Sequence, residues 1–220
     1  MRSNPTRTGQ SISSTTLNLL RECPRCFWLH MRCGLSRPRQ PWPSLLGAIN
    51  TIIEDGWDLY HRNKMLPPAV RGLIRGTPVR PRLEGWYDKD SLLCLVGRLD
   101  ACVRTNIGFF APVDHKTRGA EPTFVEDAYL LQLDTYDLLL EKNGYPPAGV
   151  GYLDFYIPSG RLDSGLSLKV VVLEAETKAE RAKEWLLQAR SVLDQNEPQP
   201  TPDCEYCDWA EALGSSVLQR

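Results

Sequence analysis

The sequence predicts an α/β domain in which a small mixed sheet is flanked by helices. Three observations predict it. Apolar residues up to about His61 recur at helical spacing, the period then changes to strand-like runs between about Leu92 and Ala175, and a helical stretch divides those runs into two pairs. The order is helices, strand–strand–helix–strand–strand, then a helix, with no internal repeat. At 220 residues the chain is long enough for one ordinary domain. We expect a single domain over 1–220, with a helical, basic part (1–82), a sheet core (83–175), and a C-terminal helix with a cysteine-bearing tail (176–220).

Ser13 or Ser14 is placed to cap a helix through LNLLRECPRCFWL, with Leu17, Leu20 and Phe27 or Trp28 on its apolar face and a break at Pro24. Leu46, Ile49, Ile53, Trp57 and Tyr60 mark a second helix from Leu45 to about His61. The segment LPPAVRGLIRGTPVRPR reads as a loop or extended arm. LLCLVGRLDACVR and GFFAPVDHKT read as strands joined by a turn at Thr105–Gly108. A proline-started, amphipathic helix is expected from Pro122 to Lys142, ending at Asn143–Gly144. VGYLDFYIP and LSLKVVVLEA are two further strands, and a last helix covers about Lys178–Asp194.

Composition narrows the function classes. With 42% hydrophobic and 24% charged residues, the chain has the make-up of a soluble globular protein. It has no apolar run of membrane-spanning length, so no membrane partner is expected. No apolar stretch follows the basic residues of its N-terminus, so a cytoplasmic location is the expectation. The net charge of −1 is unevenly spread. Residues 1–82 hold 13 Lys/Arg against 4 Asp/Glu, and residues 83–220 hold 13 against 23. Between His61 and Arg82 lie six basic residues and no acid. A polyanion-binding face beside an acidic, metal-binding centre requires such an asymmetry, and a solvated basic surface fits it equally.

The chemistry concentrates on two acids and a lysine. Asp114 and Lys116 alternate to the same face of their strand, and His115 points to the other. If the two strands pair as a hairpin, Asp100 reaches the face of Asp114. Two carboxylates and an ammonium suit phosphodiester hydrolysis: the acids hold Mg²⁺ through oxygen ligands, and the ion activates water and offsets transition-state charge. Lys116 then stabilises the developing negative charge. Taken alone, D-x-K fits a surface salt bridge at least as well.

The wider pattern decides between them. G-R-L-D, a dozen residues, and P-V-D-H-K-T resemble the PD-(D/E)XK nuclease superfamily, particularly its RecB-like and Cas4-like branch. SISSTTLNLLRECPRCFWL is similar to that branch's opening S-x-S-x-x-x-L-x-x-x-x-x-C-P-x-x-F/Y-x-L signature. Gln132 and Tyr136 in LLQLDTYDLLL match its Q-x-x-x-Y motif, and a CxxC lies close to the C-terminus. The resemblance implies a restriction-endonuclease-like core and a metal-dependent DNA nuclease, of exonuclease type on single strands or duplex ends, using Mg²⁺ or Mn²⁺. It makes Asp100 and Asp114 metal ligands, Lys116 the catalytic lysine, and Gln132 and Tyr136 catalytic partners one helical turn apart. Glu84 is a loose match to a further acid. Relatives often place a metal-binding His in a G-x-x-H context of the second helix; here Asn50 follows Gly47-Ala48-Ile49, a neutral and weaker oxygen ligand, with Glu54 one turn on. That substitution is what favours the alternative, a catalytically weakened nucleic-acid-binding or assembly subunit of a CRISPR-adaptation or recombination complex. The basic stretch, with Arg71, Arg75 and Arg80, and the aromatics Trp42 and Trp86 are the expected DNA contacts.

Seven cysteines in a cytosolic-type chain do not suggest a disulfide framework. Cys23 and Cys26, with Cys204 and Cys207, form two CxxC pairs, the thiolate count of a tetrahedral zinc site or an iron–sulfur cluster. Spacing does not separate the two, because about 180 residues lie between the pairs, and on general grounds two CxxC pairs favour Zn²⁺. The resemblance implies a [4Fe–4S] cluster with cysteines from both chain ends, although relatives typically supply one early and three late. Either would be structural, closing a very long loop. Cys94 and Cys102 are expected to be buried thiols.

Overall fold

The structure, a computed structural model, describes residues 9–38, 44–161, 163 and 165–217. In chain order its elements are β1 (Gln10–Ile12), α1 (Ser14–Glu22), α2 (Pro24–Cys33), α3 (Ser44–Arg62), β2 (Thr77–Val79), β3 (Trp86–Asp88), β4 (Leu93–Leu95), β5 (Ala101–Arg104), β6 (Phe110–Thr117), α4 (Asp127–Lys142), β7 (Val150–Arg161), β8 (Gly165–Glu176), α5 (Ala179–Leu193) and α6 (Glu205–Val217). They form two compact units. One comprises Met1–Gln40, Tyr87–Leu95 and Lys183–Arg220; the other comprises Pro41–Trp86 and Val96–Ala182. No helix among the described residues is long and apolar enough to cross a membrane. The architecture is mixed α/β with small sheets flanked by helices, as expected.

In the first unit, Ser13 caps α1 by accepting a hydrogen bond from the Thr16 N–H at 3.3 Å. Pro24 ends the run without ending the pattern: Cys23 is extended, and Pro24 occupies the first turn of α2, where its missing N–H costs nothing. The predicted break is therefore a junction of two helices. β1 pairs in parallel with β4.

The second unit is built on a five-stranded sheet of order β2-β5-β6-β7-β8. Only β6 and β7 pair in parallel, and the pairs on either side are antiparallel. A parallel pair needs a crossover, and α4 supplies it. Alternation along the strands divides the core. On one face Val113, Tyr152 and Tyr156 pack with Ile53 and Trp57 of α3 and with Val70 and Ile74. On the other, Leu153, Phe155 and Ile157 pack with Leu133 and Tyr136 of α4.

Several expectations are corrected. LLCLVGRLDACVR is not one strand: β4 and β5 belong to different sheets, and Asp100 lies just before β5 rather than at a strand's end. Gly97 marks the irregular stretch between them, because a Cβ there would stand 2.8 Å from Leu139 Cδ1 of α4. α4 begins at Asp127, five residues after Pro122, behind the extended Glu126. It is also not amphipathic in the usual sense. Residues 133–140 are all buried, as suits a central crossover helix. The basic segment, expected as a loop or extended arm, contributes β2 to the sheet, and Gly76 (φ +133°) brings the backbone within 2.8 Å, measured from its would-be Cβ, of the Arg104 carbonyl. The tail forms α6, which the sequence reading did not anticipate.

Candidate functional site

Strand alternation sets the centre. Asp114 and Lys116 face α4, and the i, i+4 spacing of Gln132 and Tyr136 puts both side chains over them. Gln132 Nε2 donates to Asp114 Oδ1 at 2.7 Å and to the Tyr136 hydroxyl at 2.8 Å. Lys116 Nζ donates to Gln132 Oε1 at 3.0 Å and is ion-paired with Asp114 Oδ2. The Lys116 ammonium also lies 4.9 Å from the centre of the Tyr129 ring. Asp100 joins from the residue just before β5, its Oδ2 accepting the His115 backbone N–H at 3.0 Å. The β5–β6 hairpin and α4 thus bring Asp100, Asp114, Lys116, Gln132 and Tyr136 together.

Electrostatics mark the site as costly. Asp114 is 1% exposed. Burial raises its pKa to about 6, Lys116 acts against the rise, and the Asp100 charge adds to it. Burial and the Asp114 charge likewise raise Tyr136, keeping its phenol protonated. Oxygen donors, a carboxylate held in an unfavourable environment and a second carboxylate nearby fit a hard divalent cation, whose charge would relieve that environment.

Asn50 stands on α3, half-buried. Glu54, one turn further, lines a cavity of about 380 Å³ with Asp55, Asp58, Arg80, Arg98 and Asp100; Asn50 does not line it. Glu84 is exposed and held through its backbone, its N–H donating to Asn143 Oδ1 at 2.9 Å. A second cavity, of about 760 Å³, is lined by His61, Arg62, Lys64, Arg80 and Arg104 with no acid, and shares Val79 and Arg80 with the first. Of the expected DNA contacts, Arg80 lines both cavities and is ion-paired with Asp58. Arg71 turns back to the Leu66 carbonyl at 3.3 Å, and Arg75 is exposed. The Trp86 ring lies under the Lys142 ammonium at 5.3 Å, and Trp42 lies outside the described residues.

Sequence reasoning missed the support behind the centre. His115 Nδ1 lies 2.6 Å from Asp154 Oδ1, and Asp154 Oδ2 accepts from Trp57 Nε1 at 3.2 Å and from the Tyr156 hydroxyl at 2.9 Å. Burial opposes a charge on His115, and the Asp154 carboxylate outweighs it, so its pKa is raised. The available signal was Asp154 itself, a lone acid inside the apolar run VGYLDFYI.

In the other unit, Cys23, Cys26, Cys204 and Cys207 converge. All four are buried and free, and their sulfurs lie within 4.8 Å of one another. Each CxxC occupies a helix start: Cys23 and Cys204 immediately precede α2 and α6, and Cys26 and Cys207 are third residues within them. Helix N-termini favour thiolates. Burial opposes ionisation of Cys23, but hydrogen bonds from the Cys26 backbone and the neighbouring thiols lower its pKa to about 6, whereas burial raises the pKa values of Cys26 and Cys207, so in the absence of a cation the cluster does not hold four thiolates. Arg37 Nη2 lies 3.8 Å from Cys204 Sγ, and its guanidinium stacks 4.5 Å from the Tyr206 ring centre. Cys94 and Cys102 are buried, as expected, and Cys33 is exposed.

The model of the PD-(D/E)XK nuclease superfamily matches residues 42–212, and the chain belongs to that superfamily. The crystal structure of SSO0001 is similar at 18% sequence identity and a TM-score of 0.48, covering 96% of this chain and 86% of that one. No curated protein matches.

Proposed function

We propose that this member of the superfamily is a Mg²⁺- or Mn²⁺-dependent deoxyribonuclease of the RecB-like and Cas4-like branch, acting on single strands or duplex ends in the cytoplasm. The observation that carries the proposal is the closed hydrogen-bonded set of Asp114, Lys116, Gln132 and Tyr136 beside Asp100. Asp100 and Asp114 would hold the divalent ion, with Glu54, which lines the same cavity as Asp100, as a further oxygen donor from α3. When bound, the ion supplies Lewis acidity toward water and the phosphate. Lys116 holds a positive charge where negative charge develops, and Gln132 fixes both Lys116 and Asp114 in place. The basic cavity lined by Arg62, Lys64, Arg80 and Arg104 meets the cavity lined by Asp100 at Val79 and Arg80, a path for a phosphate backbone.

The four cysteines form a structural metal centre, the expected iron–sulfur cluster and a zinc ion differing in the sulfur spacing they require. Asn50 favours a second reading, a DNA-binding or assembly subunit of a CRISPR-adaptation or recombination complex with weakened turnover. Anaerobic assays on 5′- and 3′-labelled single-stranded and duplex DNA, with Mg²⁺ and Mn²⁺ compared, separate the two. Metal-dependent cleavage that is lost in Lys116→Ala supports the nuclease. Tight DNA binding without cleavage in either metal would falsify it and leave the second reading.

A further inference from the structure

We infer that the four cysteines hold one zinc ion rather than an iron–sulfur cluster. The inference rests on the reading of these cysteines as a metal centre and is independent of the nuclease chemistry.

The sulfur separations carry it. Cys26 Sγ lies 3.7 Å from both Cys204 Sγ and Cys207 Sγ, and Cys23 Sγ lies 3.9 Å from Cys207 Sγ. No separation among the four exceeds 4.8 Å. Four ligands arranged tetrahedrally around one ion stand about 1.6 bond lengths apart, so Zn–S bonds of about 2.3 Å put the sulfurs roughly 3.8 Å from one another. In a [4Fe–4S] cubane each thiolate is bound to its own iron at a corner of the cluster, which moves the sulfurs out to roughly 6 Å apart. The observed spacing matches the single ion and is shorter than the cubane requires. It is equally far from a disulfide, whose sulfurs are about 2.05 Å apart.

The surroundings agree. The two CxxC pairs are related in placement, each with one cysteine just before a helix and one at that helix's third residue. Each of two equivalent turns thus supplies two ligands, the four-thiolate set of a tetrahedral zinc site. Binding replaces thiol protons by Zn²⁺, leaving a doubly negative tetrathiolate. Arg37, donating toward Cys204 Sγ at 3.8 Å, lies where that charge develops.

Full-length protein purified anaerobically should contain about one zinc per chain, no acid-labile sulfide and no broad visible absorption. Zinc captured in place of a lost cluster is distinguished by reconstitution. Protein stripped of metal and offered ferrous iron and sulfide should assemble no stable cluster, whereas Co²⁺ should bind with the intense visible bands of a tetrahedral tetrathiolate. In Cys207→Ser the cobalt charge-transfer intensity should fall, or, if that variant does not fold, Arg37→Gln should retain one zinc and exchange it faster. About four irons and four sulfides per chain, on purification or after reconstitution, overturn the inference and leave the cysteine centre standing. Protein that takes up neither metal, with all four thiols open to alkylation in excess Zn²⁺, overturns both.

Discussion

Asp114→Asn should abolish cleavage and at the same time stabilise the metal-free fold at neutral pH. In the folded chain the Asp114 pKa is raised from 3.8 to about 6, by burial first and by Asp100 next, against the pull of Lys116. The unfolded chain gives up this proton more readily than the folded one. The favourable contribution is therefore complete below pH 3.8 and is lost as pH rises through about 6. Two pKa units correspond to about 3 kcal/mol that the ionised carboxylate takes from stability above that window. Removing the charge recovers at most this amount, and less in practice, because the replacing amide presents a donor toward Lys116. For a chain of this size the ceiling is a Tm increase of roughly 6–12 °C at pH 8, shrinking toward zero near pH 4. Calorimetry in chelator at both pH values measures it, and Mg²⁺ should then raise the Tm of the wild type but not of the variant. A variant that is less stable at pH 8, or that still cleaves DNA, refutes the reasoning.

Lys116→Ala should lose cleavage by about 10²-fold or more, with DNA affinity and far-UV spectrum unchanged; a rate within a few-fold of wild type would place the chemistry elsewhere. Replacing Arg62, Lys64 and Arg104 together by glutamine should weaken binding to all sequences alike and reduce the salt slope by roughly 0.7–0.9 per lost phosphate contact. The same slope in the variant assigns the basic cavity to solvated surface, and the companion triple of Arg71, Arg75 and Arg80 then tests the rest of the stretch. Asp154→Ala should destabilise the fold by about 3–5 kcal/mol, since it leaves the His115 imidazole and the Tyr156 hydroxyl proton without their buried acceptor, while Trp57 Nε1 keeps the Tyr156 oxygen at 3.0 Å; denaturant titration showing under 1 kcal/mol would mean that the network carries little of the fold's stability.

The centre was legible in the sequence where short-range periodicity governs it. Asp114 and Lys116 share a face because strands alternate, and Gln132 and Tyr136 share one because helices turn every 3.6 residues. The cysteine pairs were legible because CxxC is local. What was not legible depends on contacts distant in sequence. LLCLVGRLDACVR has a continuous apolar pattern, and only the approach of Leu139 to Gly97 reveals the irregular stretch that separates β4 from β5. Pro122 looked like a helix start, yet α4 begins five residues later, behind an extended Glu126. The basic cavity takes Arg104 from β5 and Arg62 from α3, which no window of sequence joins.

The strand β6 explains why the centre is held so firmly. Its central residues alternate Asp114, His115, Lys116, so one strand presents the reactive pair to α4 and an imidazole to α3. His115 is also the register partner of Asp154 across the parallel β6–β7 pair, and Asp154 is tied to Trp57 and Tyr156. A slip of one residue along β7 would reverse every side chain of β6. Asp114 and Lys116 would then enter the Trp57 cluster, where the one opposite charge for Lys116 besides Asp114 is Asp154, already held by Trp57 Nε1 and the Tyr156 hydroxyl. His115 would replace Asp114 beneath Gln132 Nε2 and lose the carboxylate that holds it. Each misplaced charge costs several kcal/mol in a buried site, more than a strand of eight residues can recover from backbone hydrogen bonds that are remade in the new register. The buried His115–Asp154 pair is thus the lock on register, and the placement of Asp114 and Lys116 against Gln132 follows from it.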